Sequence, residues 1–230
     1  MTSTPSGPDA DLKSAVVQEL EWTPGVDSTH IGVSVDGGAV TLSGEVATYP
    51  EKLLAANAVQ RVHGVTAIAQ EITVRVTGGT NDSDIAREAG EALRRAVDVP
   101  ESVQASVHDH VVTLSGVVDS RHQWVAAERT VHRTRGVTGV LNLVRIRPVA
   151  MASGVEAAIT AAFVRHARID SRDVTVTTAA GGLVTLEGTV RSWAESQDAE
   201  EACWAAAGVT EVSNRLLIEY GVSDGLEIEY

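Results

Sequence analysis

A single cysteine, Cys203, stands in a chain of 230 residues, which excludes an internal disulfide and a cysteine-based zinc site. Aromatic residues make up only 3% of the chain, with one phenylalanine. Its cores must therefore be built from valine, isoleucine, leucine and alanine. No apolar run approaches the roughly 18 residues that mark a transmembrane helix. The opening stretch MTSTPSGPDADLKS has neither the basic nor the apolar region of a secretory signal, so cytoplasmic residence is expected. Basic side chains number 18 against 31 acidic ones, a formal charge of −13. Such a surface repels nucleic acid and anionic membranes unless charge is locally segregated. No nucleophile elbow, phosphate loop or zinc-protease motif is present. No acid, base and nucleophile converge by spacing either, so neither enzymatic activity nor a cofactor is expected.

What the chain has is repetition. Residues 40–46 read VTLSGEV, residues 112–118 VTLSGVV and residues 184–190 VTLEGTV, each 72 residues after the last. A second phrase follows: Gly64-Val65-Thr66, Gly136-Val137-Thr138 and Gly208-Val209-Thr210 begin 20 residues after Gly44, Gly116 and Gly188. Two phrases at one internal distance, three times over, mark a repeated structural unit.

Each unit opens with a helical stripe: Leu12, Val16 and Leu20, then Ile85, Ala89 and Leu93, then Val155, Ile159 and Phe163. Asp9 or Asp11, Ser83 or Asp84, and Ser153 are the candidate N-caps. A strand of period two follows, with Ile31, Val33 and Val35 in the first copy. Asp36-Gly37-Gly38 is a hairpin signal, replaced later by Asp109-His110 and Ala180-Gly181-Gly182.

The quoted phrase is the returning strand. Its glycine is read either as the place where a second helix crosses close to the sheet or as a simple bulge or strand end. The second helix is capped by Thr48, Ser120 or Ser192, and Gly64, Gly136 and Gly208 are read as C′ glycines ending it. A last strand points Ile72 and Val74, Val144 and Ile146, and Leu216 and Ile218 inward.

The expected fold is therefore α+β: three tandem αββαβ modules, each a three-stranded mixed sheet with two helices on one face. The modules are placed at residues 9–76, 83–148 and 152–220, with residues 1–8 and 221–230 as flexible tails. Within the last stretch, Leu226, Ile228 and Tyr230 are spaced to add an edge strand to a neighbour, or to fray.

This pattern resembles the BON domain, named for bacterial osmotically inducible and nodulation proteins. The residues that carry the resemblance are Val40, Leu42 and Gly44 with their two copies, and Gly136, Val137 and Val140. Asn142 and Asn214 match the asparagine usual in the last strand, where the first copy has Gln70. The resemblance covers residues 9 to 220. It implies a non-catalytic protein linked to envelope integrity and osmotic stress. Phospholipid binding is proposed for such proteins, and one cytoplasmic member binds potassium.

Charge is unevenly shared. Residues 1–78 carry 4 basic and 9 acidic side chains, residues 79–148 carry 9 of each, and residues 149–230 carry 5 and 13. All nine bases of the middle module are arginine. Arg94 and Arg95 are placed on its first helix, Arg129 and Arg133 on its second, and Arg145 and Arg147 on its last strand. Arginine forks suit phosphate, so these six are the candidate contact for an anionic membrane surface or an acidic protein partner. Helical ion pairs with Glu88, Glu91 and Glu128 are the plainer alternative. An alternative function is a cytoplasmic sensor of a small cation such as potassium, held by carbonyls and carboxylates. Nucleic acid is not expected as a partner.

The run His108-Asp109-His110 supplies too few ligands for a closed zinc site and is read as a polar hairpin turn. His122 and His132 lie on the next helix. Cys203 falls on a core stripe and is read as a small buried hydrophobe. Trp124 is expected on the core side, while Trp22, Trp193 and Trp204 are candidates for packing between modules, with contact to a membrane interface as the alternative.

Overall fold

The computed structural model describes residues 7–76, 78–148, 155–165 and 174–219. In the first module α1 (Gly7–Trp22) leads to β1 (Ile31–Asp36), β2 (Ala39–Val46), α2 (Tyr49–Gln60) and β3 (Ala67–Val74). The second module begins with α3 (Asp82–Arg95), β4 (Gln104–His108) and β5 (Val111–Ser115), which continues as β6 (Val117–Val118). It ends with α4 (Arg121–His132), β7 (Gly139–Asn142) and β8 (Arg145–Ile146). The third module comprises α5 (Val155–Arg165), β9 (Val174–Ala179), β10 (Leu183–Val190), α6 (Trp193–Trp204) and β11 (Glu211–Ile218). The fold is α+β, as the repeat requires.

In every module the middle strand pairs antiparallel with the strand before it and parallel with the strand after it. The parallel step is the βαβ crossover through the second helix. The middle strand supplies the deepest core residues: Val40 and Leu42, Val112 and Leu114, and Val184 and Leu186 are all fully buried. Ala55, Ala58 and Val59 face them from α2, Ala127 and Val131 from α4, and Ala199 and Cys203 from α6. Each module has its own core cluster. Small side chains on these helices let them lie close to the sheet, which offsets the shortage of aromatics.

The caps of the second helices follow the sequence. The hydroxyls of Thr48, Ser120 and Ser192 accept from the amides of Glu51, Gln123 and Glu195. Those same side chains return to the amides of Ala47, Asp119 and Arg191. Both ends of the motif are thereby satisfied, as in a capping box.

The first helices differ from the expectation. α1 runs from Gly7, two residues before the expected module start, so Asp9 and Asp11 lie within the helix and do not cap it. α3 is capped by Asn81, whose side chain accepts from Asp84 N–H, and not by Ser83 or Asp84. Ser153 and the stretch 221–230 lie outside the described residues.

The repeat glycines need correction as well. Gly44 and Gly116 adopt φ of +121° and +134°, and a Cβ there would sit 2.0 Å from His30 O and 2.3 Å from Ser102 O. The close neighbour is the backbone entering the first strand, not the second helix. Gly188 shares the conformation at φ +128°. Gly64, Gly136 and Gly208 are not C′ residues, because the helices end four residues earlier at Gln60, His132 and Trp204. They take positive φ as third residue of a separate turn, closed by the bonds Val65 N–Val62 O, Val137 N–Thr134 O and Val209 N–Ala206 O.

Candidate functional site

The last strand of module two shows what residue alternation does to the arginines. Val144 and Ile146 are buried, while Leu141, Leu143, Arg145 and Arg147 are exposed. The exposed set lies on the face of the sheet away from α3 and α4. Val111 is exposed at the start of the neighbouring strand, where β5 runs parallel to β7. Leu141 pairs with Thr113 in the same register. Leu141, in β7, and Leu143, in the gap before β8, are 49% and 56% exposed, large values for leucine beside a sheet. The face is thus apolar at one end and cationic at the other.

The equivalent positions elsewhere read differently. Module one presents Ala69, Glu71, Thr73 and Arg75; module three presents Ser213, Arg215, Leu217 and Glu219. Arg75 is paired with Glu45 at 2.9 Å, and Arg215 with Glu187 at 3.2 Å, each across to the middle strand. Arg145 has Val117 as its registered neighbour and no ion pair among the described residues. Arg147 meets Asp119 at 3.4 Å, but both side chains are two-thirds exposed, so the pair holds the arginine weakly.

The helical arginines do not join this face. Arg94 and Arg95 end α3, and Arg129 and Arg133 lie at the end of α4, all on the helical side of the module. At helix C-termini they complement the helix dipole. Arg95 is engaged with Glu91 at 3.7 Å. Arg133 lines a cleft against Tyr49 and Arg75 of module one. The six arginines therefore form two groups separated by the thickness of the sheet, and only Arg145 and Arg147 lie beside apolar side chains on an open strand.

One carboxylate role had no signal in the periodicity. Asp82, in the first turn of α3, accepts from the amides of Asp109 at 2.9 Å and His110 at 3.0 Å. Asp9 does the same for Gly37 and Gly38 in module one. Glu156 accepts from Thr178 N–H in module three. The bond from His110 chiefly holds the Asp82 carboxyl below its ordinary range. Asp109 and His110 both take positive φ, so the carboxylate fastens a turn made without glycine. Asp82, His108 and Asp109 have ligand atoms within 4.8 Å of one another, a spacing a metal ion could bridge. Both Asp82 oxygens are already engaged by the turn, and His108 and Asp109 are almost fully exposed. His122 and His132 do not approach: His122 faces Asp98 and His132 faces Glu128 and Tyr49.

Asn142 and Asn214 tie helix to strand. Each donates to a backbone carbonyl of the second helix, Trp124 O and Ser196 O, and each accepts from the amide two residues on. Gln70 donates to Lys52 O, the equivalent carbonyl in module one. Cys203 is buried, and burial pushes its thiol up to about 12, leaving it an inert core side chain. Trp124 packs on the core of module two and donates to Val144 O. Trp204 packs on two module cores, whereas Trp22 is 84% exposed and seals nothing.

Comparison with known proteins places three matches to the family model described as BON domain, at residues 8–76, 81–148 and 152–220. Osmotically-inducible protein Y of Escherichia coli strain K12 is 33% identical over 140 residues, covering 58% of this chain and 68% of that protein. Among solved structures, the C-terminal domain of CdsD, a structural protein of the type III secretion system of Chlamydia trachomatis, aligns over 91% of this chain and 98% of its own. Its identity is 15% and its TM-score 0.26. A second CdsD structure aligns over 92% and 94% at 16% identity and a TM-score of 0.27. Scores of this size do not relate the two arrangements.

Proposed function

Because the chain belongs to the BON domain family and carries three of its modules in tandem, we propose that it is a non-enzymatic binding and scaffold protein of osmotic or envelope stress that contacts anionic phospholipid through the outer sheet face of module two. The observation that carries the reading is the difference among three equivalent faces. Only module two sets Leu141 and Leu143 beside an arginine, Arg145, without an acidic partner among the described residues.

The physics favours that face for a lipid surface. A basic side chain near an anionic leaflet contributes on the order of 1 kcal/mol, and apolar side chains gain further by entering the headgroup boundary. Guanidinium groups make paired hydrogen bonds to phosphate. The acidic excess sits in the other two modules, and module two balances 9 basic against 9 acidic side chains. No helix among the described residues is long and apolar enough to cross a membrane, so the proposed contact is peripheral. Residence in the cytoplasm belongs to the same proposal, since the cytoplasmic leaflet carries the anionic lipid.

Vesicle co-sedimentation tests the reading. The chain is expected to sediment with phosphatidylglycerol-containing vesicles and not with pure phosphatidylcholine, and to be released as salt is raised. The double variant R145E/R147E should lose binding, and L141S/L143S should weaken it, while R94E/R95E retains it. Equal sedimentation of the wild type and R145E/R147E, or none by the wild type, overturns the proposal.

A further inference from the structure

The second helices of the three modules meet one another by a contact that repeats with the sequence. Tyr49, Arg121 and Trp193 are the first residues of α2, α4 and α6; Gln60, His132 and Trp204 are the last. Each set is spaced by 72 residues. The Tyr49 ring stands edge-on to His132, centroids 5.2 Å apart. The Arg121 guanidinium lies 4.4 Å from the Trp204 ring centroid and 4.0 Å from that of Trp124. So the head of α2 meets the tail of α4, and the head of α4 meets the tail of α6.

The remaining pair is the head of α6 and the tail of α2. Gln197, one turn into α6, donates to Gln60 at 2.7 Å. Asn57 and Arg61 of module one also share a cavity with Arg121 of module two and Trp204 of module three. A head-to-tail contact repeated in this way closes a ring. Tyr49 and Arg121 each meet a neighbour's tail with the first residue of their helix, and at the third joint Gln197, one turn in, reaches the tail of α2.

The three joints differ in quality. Ring or cation–π stacking holds the first two, whereas the third offers glutamine where the others offer His132 and Trp204. The Trp193 indole N–H is buried with no hydrogen-bond partner among the described residues. The third joint also brings together the two modules with acidic excess, 9 against 4 and 13 against 5. The chain connects modules two and three once, between Ile146 and Val155, and never connects three to one directly.

We propose that module three is exchangeable: its head and tail surfaces recognise the same surfaces of a second copy of this chain, so that each copy's third module closes the other's ring. The exchange conserves every contact and changes only which copy supplies the module, which makes a swapped dimer a low-cost assembly. The chain's own module is favoured by its tether, whose effective concentration is of millimolar order, so dimers grow with protein concentration.

The test places cysteines at both sides of the third joint, Q60C and Q197C, with C203V removing the native thiol. Valine is the residue found at the equivalent positions 59 and 131. The full chain is equilibrated at concentrations from micromolar to millimolar and then oxidised. Intrachain disulfide is expected at the low end and a disulfide-linked dimer rising with concentration at the high end. Because the exchange conserves both joints, Q60W added to a matched pair with cysteines at Asn57 and Gln197, and likewise R121A, acts on monomer and swapped dimer alike and should leave the dimer fraction unchanged. Intrachain disulfide alone at every concentration, or no disulfide at either pair, overturns the proposal.

Discussion

At the scale of single residues, backbone geometry decides more than side-chain chemistry. Gly44 leaves 2.0 Å between a would-be Cβ and His30 O at φ +121°, whereas Gly37 at φ +56° has nothing within 4 Å. Gly44→Ala must therefore both strain the backbone and push two strands apart, at more than about 2 kcal/mol. Gly37→Ala bears only the left-handed penalty, roughly 1 kcal/mol. Urea unfolding of the two variants should show this order, and equal midpoints would refute it. Asp82 supplies a pH signature. Its carboxyl is lowered by the hydrogen bond from the His110 amide, so its stabilisation is complete above the ordinary aspartate value. That stabilisation is lost as pH falls through the lowered folded value. Asp82→Asn should reduce the slope of melting temperature against pH in this acid window and leave the neutral-to-alkaline slope unchanged.

At the scale of elements, the asparagine of the last strand links three pieces. Asn142 Nδ2 reaches Trp124 O on α4, and its Oδ1 takes the amide of Val144 in the gap between β7 and β8. Asn142→Ala leaves Val144 N–H without that acceptor and should cost about 1–2 kcal/mol. Amide exchange checks it, since Val144 N–H should lose protection more than core amides of β5. The resemblance drew attention to Asn142, Asn214 and Gln70, but their task is visible only once α4 and β7 are adjacent. Asp9, readable as a helix cap, and Asp82, which no periodicity singled out, cross 28 and 27 residues to a hairpin, because the helix start overlies that turn.

At the scale of the whole molecule, the ring of second helices makes three small cores depend on one another. Arg121 stacks between Trp124 of its own module and Trp204 of the next, a cation–π arrangement worth about 1–2 kcal/mol when partly desolvated. Arg121→Ala should raise amide exchange in modules two and three before it affects module one. Uniform loosening of all three would show that the joint is not local. Charge acts at this scale too: the acidic excess lies in the outer modules, and module two, with 9 basic and 9 acidic side chains, is the one proposed to meet an anionic surface.

The sequence by itself determined the modules, their order, the buried middle strands and the caps of the second helices. Those features follow from periodicity and short-range hydrogen bonding, which neighbouring residues specify. Only the tertiary structure decided that Arg145 and Arg147 part from Arg94, Arg95, Arg129 and Arg133, because a sheet lies between a strand's outer face and the helices that cover it. It alone decided that Tyr49 meets His132 and Arg121 meets Trp204. Contacts between copies of a repeat depend on how rigid modules orient, and no local spacing encodes that rotation.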